Sequence, residues 1–471
     1  MWGKLYQKFS PPHTHMYVFD TIAAVSTPRG KGGIAVLRIS GAQTREILNK
    51  VFRPFAKNAD FSPRYATYGE IVAADGTTMD EGIATFFQGP KSFTGEDVAE
   101  ISCHGGALLT EQVLSRVLEA GARPAEPGEF TRRAVMNGKM KLSSAEALGA
   151  LLEAKTTGQL SLARGGMSGK LSAALEGAFS RLSLLLADVY AKIDFPDEDL
   201  NSMSREELTA QLVAQRDELS ALLATYRTGH AVAEGIATVI CGPVNAGKST
   251  LYNAMVGRDA AIVTDVAGTT RDVLCETVAM GQVTLRLFDT AGLRETEDAV
   301  EGIGIQRARE AMERSELILC VLNASAAPCD EVHALLAEMS QKNVPVVLVL
   351  NQCDRGDAFP AELLQGFENV VRVSAATGEI GELRALVELL YLSDGLDLRA
   401  DAIVSNARQS AALSRAITAL DASIEALSFD VPLDAACVDA ELAMQYLAEV
   451  DGRAVDEQIL TDIFANFCVG K

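Results

Sequence analysis

Near the middle of this 471-residue chain stands the glycine-rich run Gly242-Pro243-Val244-Asn245-Ala246-Gly247-Lys248-Ser249. It has the form G-x-x-x-x-G-K-S, and it lies between an apolar run at 239–241 and a helical pattern. In such a strand–loop–helix context, backbone N–H groups face phosphate oxygens, the lysine reaches the β- and γ-phosphates and the serine ligates Mg²⁺. We therefore predict a nucleotide site, against the alternative of a chance glycine-rich turn.

Two further phosphate-side motifs follow in the sequence. The first is Gly268-Thr269-Thr270, in which Thr270 is the expected second Mg²⁺ ligand in the triphosphate state. The second is Asp289-Thr290-Ala291-Gly292, at the end of the apolar run 283–288. An aspartate there suits the outer coordination sphere of Mg²⁺, and the N–H of Gly292 can meet the γ-phosphate. Because these two motifs follow the phosphate loop in this order, the prediction of a nucleotide site becomes more specific.

The base-recognition motif is Asn351-Gln352-Cys353-Asp354, which follows the apolar run 346–350. The carboxylate of Asp354 can accept hydrogen bonds from both the guanine N1–H and the exocyclic amine, a donor pair that adenine lacks. The usual motif is N-K-x-D, and Gln352 stands where the stem of the lysine packs over the base. We therefore expect weaker nucleotide binding with the guanine preference kept. Ser374 and Ala375 close the predicted base pocket with backbone donors.

The residue that orients water in Ras-like enzymes is missing from its usual position. Those enzymes place a glutamine after D-x-x-G, whereas this chain has Leu293, which cannot orient water. Another group must do so. The acidic residues Glu295, Glu297, Asp298 and Glu301 are near in sequence, although most such runs are solvated faces. The predicted GTP-binding residues are Asn245, Ala246, Gly247, Lys248, Ser249, Thr250, Thr264, Asp265, Val266, Ala267, Gly268, Thr269, Thr270, Asp289, Thr290, Ala291, Gly292, Asn351, Asp354, Ser374 and Ala375.

The charge of the chain is strongly negative but unevenly spread. Lys and Arg total 42 and Asp and Glu total 63, so the formal net charge is −21. Residues 1–134 carry +1, whereas residues 235–392 carry −10 and residues 393–471 carry −9. This acidity excludes a general nucleic-acid coat, and a polyanion must therefore meet a local basic patch. The candidates for that patch are Arg132, Arg133, Lys139 and Lys141.

The eight cysteines are scattered and form no C-x-x-C pair, which predicts a reducing compartment and neither a disulfide framework nor a zinc knuckle. The first 15 residues contain no apolar signal core, and no apolar run reaches the length of a membrane span. We therefore expect a cytoplasmic protein with no membrane partner.

Local patterns divide the chain into five segments. Residues 1–15 are an extension, and residues 16–134 mix short strands and helices in the manner of an α+β or α/β domain. The pattern is helical over 135–234, alternates strand and helix over 235–392 and is helical again over 393–471. We predict a multidomain α/β plus α fold, with an N-terminal α+β domain, a discontinuous helical domain and an inserted Ras-like P-loop GTPase domain.

Shorter patterns predict individual elements. Residues 33–39 indicate a strand and residues 107–120 an amphipathic helix. Two capping boxes predict helix starts, because Ser and Glu side chains three residues apart satisfy free backbone N–H groups. They are Ser143-Ser144-Ala145-Glu146 and Ser204-Arg205-Glu206-Glu207.

Two further groups of residues complete a family resemblance. The first comprises Thr94-Gly95-Glu96-Asp97-Val98-Ala99-Glu100, Cys103-His104-Gly105-Gly106, Pro127-Gly128-Glu129-Phe130-Thr131 and Asn137-Gly138-Lys139. The second is the terminus Phe467-Cys468-Val469-Gly470-Lys471. Together with the nucleotide motifs, they resemble the TrmE/MnmE family of tRNA-modification GTPases over residues 16–471.

The resemblance implies that the N-terminal domain binds a tetrahydrofolate derivative, 5-formyl or 5,10-methylene, and holds a constitutive homodimer together. Cations suit the glutamate tail of folate and a carboxylate suits its pterin. For Arg38 or Lys139 alone, a solvated surface position stays open as the alternative. The matching folate contacts are Arg38, Glu100, Lys139 and Lys471.

The resemblance also implies that the inserted domains dimerise in a potassium-dependent way during GTP hydrolysis. Asn245 matches the side-chain ligand of K⁺, and Thr264, Val266 and Thr269 match the loop oxygens. Glu301 matches the acid that orients water. The expected catalytic residues are Glu301, Lys248 and Cys468.

The family acts with an FAD-containing, MnmG/GidA-like partner on tRNA, where it adds an aminomethyl or carboxymethylaminomethyl group to C5 of the wobble uridine. Two other functions stay open: a regulatory or ribosome-assembly GTPase that binds RNA without modifying it, and a folate-binding scaffold with a decayed GTPase. Cys468 is either reactive, if Lys471 lowers its pKa, or a buried packing residue. Cys103 and His104 suggest a catalytic pair, but no third orienting residue is evident, and we favour a structural or pocket role.

Overall fold

The computed structural model describes residues 20–28, 30–56, 60–195, 203–259, 276–288, 312–429, 431–453, 457–465 and 467–470. The chain forms two compact units, Met1–Gly149 with Met444–Lys471 and Ala150–Ala443. Within the described ranges, no helix is both long enough and apolar enough to cross a membrane. The predicted limits of the five segments stay predictions.

The first unit is built on a sheet of seven strands. They are β1 (Ile22–Val25), β2 (Ile34–Ser40), β3 (Phe52–Pro54), β4 (Ala66–Val72), β5 (Thr78–Phe87), β6 (Val98–His104) and β7 (Arg123–Pro124). Their order is β3-β4-β5-β6-β2-β1-β7, and every neighbouring pair is antiparallel except β1 with β7. Helices α1 (Thr44–Val51) and α2 (Ala107–Glu119) belong to this unit. The strand predicted at 33–39 and the helix predicted at 107–120 are confirmed.

The two faces of this sheet differ because side chains alternate along a strand. Leu37 and Ile101 are fully buried in a cluster with apolar residues of α1 and α2. Ile34, Tyr68 and Ile83 point the other way and are exposed. One face of the sheet is thus covered, whereas the other exposes apolar side chains at Ile34, Tyr68 and Ile83 and is buried near β1, where Ile22 and Ala24 cluster with Phe130.

Helices make up most of the remaining described chain. They are α3 (Glu129–Met136), α4 (Leu142–Glu153), α5 (Thr157–Met167), α6 (Lys170–Asp194), α7 (Arg205–Ala224), α8 (Tyr226–Ala233), α9 (Lys248–Asp259), α10 (Asp330–Met339), α11 (Gly381–Tyr391), α12 (Ala407–Ser428), α13 (Leu433–Asp451) and α14 (Glu457–Ala465). In the second unit α12 packs along α7, although 182 residues separate their ends at 224 and 407 in the sequence. Arg216 of α7 bonds Asp421 of α12 at 3.0 Å.

The two predicted helix starts have different outcomes. Ser204 caps α7: its side chain accepts from the N–H of Glu207, whose side chain accepts from the N–H of Ser204. The box at Ser143 is wrong, because α4 already begins at Leu142 and Ser143 lies inside the helix. Its hydroxyl donates to Asp451 Oδ1 at 3.4 Å, and Leu142 is buried in an apolar cluster with α14. Tertiary packing therefore extends this helix beyond the local capping signal.

The second unit contains a six-stranded sheet. Its strands are β8 (Ile236–Cys241), β9 (Glu276–Met280), β10 (Val283–Leu287), β11 (Leu317–Asn323), β12 (Val346–Asn351) and β13 (Val370–Arg372). The order is β13-β12-β11-β8-β10-β9, and all pairs are parallel except β9 with β10. Apolar clusters bury both faces, as parallel sheets require. The carboxyl ends of β8 and β12 reach the phosphate loop and the base-recognition motif.

Candidate functional site

The phosphate loop joins β8 to α9 in a conformation that requires glycine at two positions. Gly242 has φ +145°, and a Cβ atom there would lie 2.1 Å from the carbonyl oxygen of Val321. Gly247 has φ +89°, and a Cβ atom would lie 2.3 Å from Asn351 Nδ2. Asn245 is also left-handed, with φ 62°. Left-handed residues in such loops turn backbone N–H groups toward a bound anion.

Lys248 is the first residue of α9, and its ammonium group lies within the loop. Nζ donates to the carbonyl oxygens of Gly242 and Pro243, at 2.9 Å each. Burial lowers the pKa of this lysine, and a nearby phosphate would favour its charged form. Ser249 and Thr250 follow on exposed positions of the helix N-terminus, where a hydroxyl can ligate a divalent cation.

Asn351 joins three parts of the site. Its Nδ2 donates to the carbonyl oxygen of Ala246 at 3.1 Å, and its Oδ1 accepts from the N–H of Ala375 at 3.0 Å. Close by in the chain, Asp354 Oδ1 accepts from the hydroxyl of Ser374 at 2.7 Å. The phosphate loop, the end of β12 and the predicted base pocket are thereby held together.

A cavity of about 370 Å³ lies between α9 and the segment 375–378. Its lining includes Thr250 and Ala375, which are two predicted nucleotide contacts. Several predicted residues lie outside the described part of the chain. They are Thr264, Asp265, Val266, Ala267, Gly268, Thr269, Thr270, Asp289, Thr290, Ala291, Gly292, Leu293, Glu301 and Lys471.

Arg38 and Glu100, two predicted folate contacts, are direct neighbours across β2 and β6. Their side chains form an ion pair of 2.7 Å. The guanidinium of Arg38 also lies over the rings of Phe93 and Phe130, 5.2 and 5.7 Å from the ring centres. Lys139 packs beside Gly95, which lies between Phe93 and Glu100 in the chain. A Cβ atom on Gly95 would lie 3.0 Å from Lys139 Cγ.

The C-terminal residues pack against this sheet. The hydroxyl of Ser26, next to β1, donates to the carbonyl oxygen of Gly470 at 3.1 Å. Val469 pairs with Pro127, and the N–H of Gly128 donates to the carbonyl oxygen of Cys468 at 3.4 Å. Cys468 itself is exposed and free, so the interpretation as a buried packing residue is wrong.

Cys103 and His104 do not act together, because they are adjacent in β6 and face opposite sides of the sheet. Cys103 is buried, and burial raises the pKa of its thiol. His104 is exposed, and its Nδ1 lies 2.8 Å from Asp80 Oδ1. Asp80 on β5 is therefore a partner of His104 that the sequence did not reveal, whereas the buried thiol of Cys103 belongs to the covered face of the sheet.

The predicted basic patch is only partly a surface. Arg133 is fully buried on α3 and bonds the carboxylates of Asp20, Glu96 and Glu129 at 3.0, 3.2 and 2.9 Å. Burial opposes ionisation of Glu129, but hydrogen bonds from Arg123, the N–H of Glu126 and Arg133 outweigh it and lower its pKa to about 2. Arg133 is thus an internal ion-pair residue and cannot meet a polyanion.

Comparison with known proteins places the chain in a family. Residues 21–139 match the family described as GTP-binding protein TrmE N-terminus, and residues 142–468 match the MnmE helical domain. The chain belongs to the TrmE/MnmE family. The tRNA modification GTPase MnmE of Heliobacterium modesticaldum is 39% identical over 467 residues, covering 96% of this chain and 100% of that protein. MnmE of Thermotoga maritima is 39% identical over 459 residues, with the same coverage.

Family membership confirms the resemblance and the multidomain fold that the sequence predicted. The N-terminal match covers Arg38, Glu100 and Lys139, and the helical match extends across the nucleotide motifs to Cys468. Among solved structures, the G domain of the T. maritima FeoB iron transporter matches 33% of this chain and 98% of that chain at 22% identity, with a TM-score of 0.25.

Proposed function

We propose that this chain hydrolyses GTP as a component of a complex that modifies the wobble uridine of tRNA. Membership in a family of tRNA modification GTPases supports a GTPase that acts in tRNA modification. The observation that carries the nucleotide assignment is Asn351, which ties the phosphate loop to the base pocket. A guanine nucleotide can then be held at both of its ends.

The described residues divide the binding of GTP between phosphates and base. Lys248 exchanges its two loop carbonyls for the β- and γ-phosphates, and the hydroxyl of Ser249 can hold Mg²⁺. When bound, Mg²⁺ neutralises charge that develops on the phosphates. Asp354, fixed by Ser374, accepts the two guanine donors. Thr270 as the second Mg²⁺ ligand and Glu301 as the residue that orients water complete the proposal from the sequence.

The folate part of the proposal is supported by the surroundings of Arg38. A cation, the carboxylate of Glu100 and two aromatic rings meet there. An ionised acceptor such as a glutamate tail suits a cation, and an aromatic pterin suits aromatic rings. This donor set fits a 5-formyl or 5,10-methylene tetrahydrofolate derivative, with Lys139 and Lys471 as the further cations. The carbon transferred to C5 of the uridine would come from this one-carbon unit.

We propose that copies of this chain meet at two places: the exposed part of the N-terminal sheet face and the phosphate loop. Exposed Ile34, Tyr68 and Ile83 on one face of an antiparallel sheet support a homodimer through the N-terminal domain. Asn245 is exposed in the phosphate loop and would supply a K⁺ ligand with Thr264, Val266 and Thr269. The flavin would be on a separate FAD-containing partner, and exposed Cys468 is the proposed reactive thiol.

Nucleoside analysis of tRNA tests the proposed function. A strain that lacks this chain should lose the C5-modified wobble uridine, and the wild-type chain should restore it. Arg53→Ala is the matched control, because Arg53 forms a cross-strand ion pair with Glu70 on the same sheet. We expect restoration by Arg53→Ala and failure by Arg38→Ala. Unchanged wobble uridines in the deletion strain would instead favour a regulatory or ribosome-assembly GTPase.

A further inference from the structure

Gln352 contacts the phosphate loop. Its Nε2 donates to the carbonyl oxygen of Asn245 at 3.0 Å. Both residues have a left-handed backbone, with φ 65° at Gln352 and 62° at Asn245. Across the described part of the chain, Arg64 is the one other non-glycine residue with positive φ. Because side-chain-bearing residues rarely adopt this conformation, a hydrogen bond between two of them indicates a specific mutual arrangement.

The neighbouring side chain continues the same row of contacts. Asn351 Nδ2 lies 3.1 Å from the carbonyl oxygen of Ala246 and 3.4 Å from that of Gly247. Two adjacent side chains therefore bind three successive carbonyls of the loop. In a trans peptide the C=O group points opposite to the N–H of the next residue. Holding the carbonyl of Asn245 toward Gln352 consequently turns the N–H of Ala246 to the other side, into the loop.

The observed direction of that N–H agrees with this geometry. The N–H of Ala246 points across the loop to the carbonyl oxygen of Pro243 at 3.4 Å, which is long for a hydrogen bond. The same carbonyl accepts from Lys248 Nζ. The N–H of Ala246 is therefore directed to the place where the lysine lies, and a phosphate oxygen there is a stronger acceptor.

We propose that Gln352 is a positioning residue that fixes the peptide after Asn245 and so strengthens binding of the β-phosphate of guanine nucleotides. Arg355 Nη1 donates to Gln352 Oε1 at 3.4 Å, which leaves the amide nitrogen facing Asn245. Through this hydrogen bond the residue acts on the phosphate end of the nucleotide, which is a separate effect from packing of its side chain over the base. This inference rests on the nucleotide site proposed above.

A series of nucleotides with one, two and three phosphates separates an effect on the phosphate end from an effect on the base end. GMP, GDP and GTP compete with fluorescent GDP for the full-length chain and for Gln352→Leu, Gln352→Glu and Gln352→Lys. Gln365→Leu removes an exposed glutamine of the same unit and is the matched control. Thermal unfolding of each variant reports whether it folds, and nearly isosteric Gln352→Glu decides the question if Gln352→Leu is unstable.

Leucine provides no donor, so we expect it to weaken GDP and GTP about fivefold, the range of one net hydrogen bond. Glutamate also adds a negative charge beside the loop and should weaken both nucleotides at least as much. GMP should change by less than about twofold, since it has no β-phosphate. Gln352→Lys keeps a donor and should keep the GDP-to-GMP affinity ratio of the wild type. Equal weakening of all three nucleotides, or none, overturns the inference. Failure of the wild-type chain to bind GDP overturns the nucleotide site itself.

Discussion

The nucleotide site and the Arg38 region are assembled in opposite ways. The nucleotide site uses contiguous runs at the ends of parallel strands, and its chemistry comes largely from backbone N–H groups. The Arg38 region uses side chains from distant parts of the chain: Glu100 is 62 positions away, and the nearby buried ion network joins Asp20 to Arg133, 113 positions apart. A contiguous site leaves one motif of fixed spacing, whereas a site built by strand register is divided among segments whose pairing no single motif reveals.

The buried network should be the part of this comparison most sensitive to mutation. Arg133→Met leaves Glu96 buried without its cation and Glu129 with Arg123 as its remaining close partner, and we expect a loss of about 3–5 kcal/mol in the stability of the first unit. Hydrogen exchange of peptides from β1, β2 and β6 in the full-length chain measures this loss. Arg53→Met, which breaks the more exposed ion pair with Glu70 on the same sheet, is the control and should cost less than about 1 kcal/mol. Equal effects would contradict the network.

Acid should weaken the same network without any mutation. The pKa of Glu129 is about 2 in the folded chain, below its unfolded value, so its ionised form contributes stability at pH values above about 4.5. That contribution, on the order of 3 kcal/mol, is lost as pH falls toward 2. Urea unfolding of the first unit at several pH values measures it. Glu129→Gln should flatten the dependence, and an unchanged slope would show that other carboxylates dominate.

In the nucleotide site, Asn351 should matter most, because it bonds both the phosphate loop and the base-pocket segment. Asn351→Ala removes contacts to Ala246 and leaves the N–H of Ala375 without its side-chain acceptor. We expect about 30-fold weaker GDP binding, equivalent to roughly 2 kcal/mol. Titration with fluorescent GDP measures it. Asn369→Ala is the control: it removes an amide just before β13 that bonds the carbonyl oxygen of Val346, and it should bind GDP like the wild type. If both variants weakened GDP binding equally, Asn351 would have no special role.

Arg38→Ala should separate the two regions functionally. Loss of a charge-assisted contact predicts about 10-fold weaker binding of 5-formyltetrahydrofolate, with GDP affinity unchanged. Isothermal titration of the full-length chain with each ligand measures both values, and Arg53→Ala is again the control. Unchanged folate binding would remove Arg38 from the proposed folate site.

Much of the nucleotide region could be predicted from residues close in sequence. The phosphate loop follows β8 and precedes α9, as its glycine pattern indicates. Elsewhere in the same unit, the local capping signal at Ser204 correctly predicts the start of α7. The capping box at Ser143 failed because burial of Leu142 extends α4. The prediction that Arg133 belongs to a surface patch is wrong for a similar reason: its carboxylate partners include Asp20 and Glu96, which no local pattern connects to it.

The sequence by itself determined the class of the inserted domain, its guanine preference and the family, because these depend on short motifs with fixed backbone chemistry. Only the tertiary structure showed which side chains meet across strands. It paired Arg38 with Glu100, turned Cys103 away from His104 and brought Gln352 to Asn245. Strand register and burial set these distances, and both depend on the packing of residues far apart in the chain.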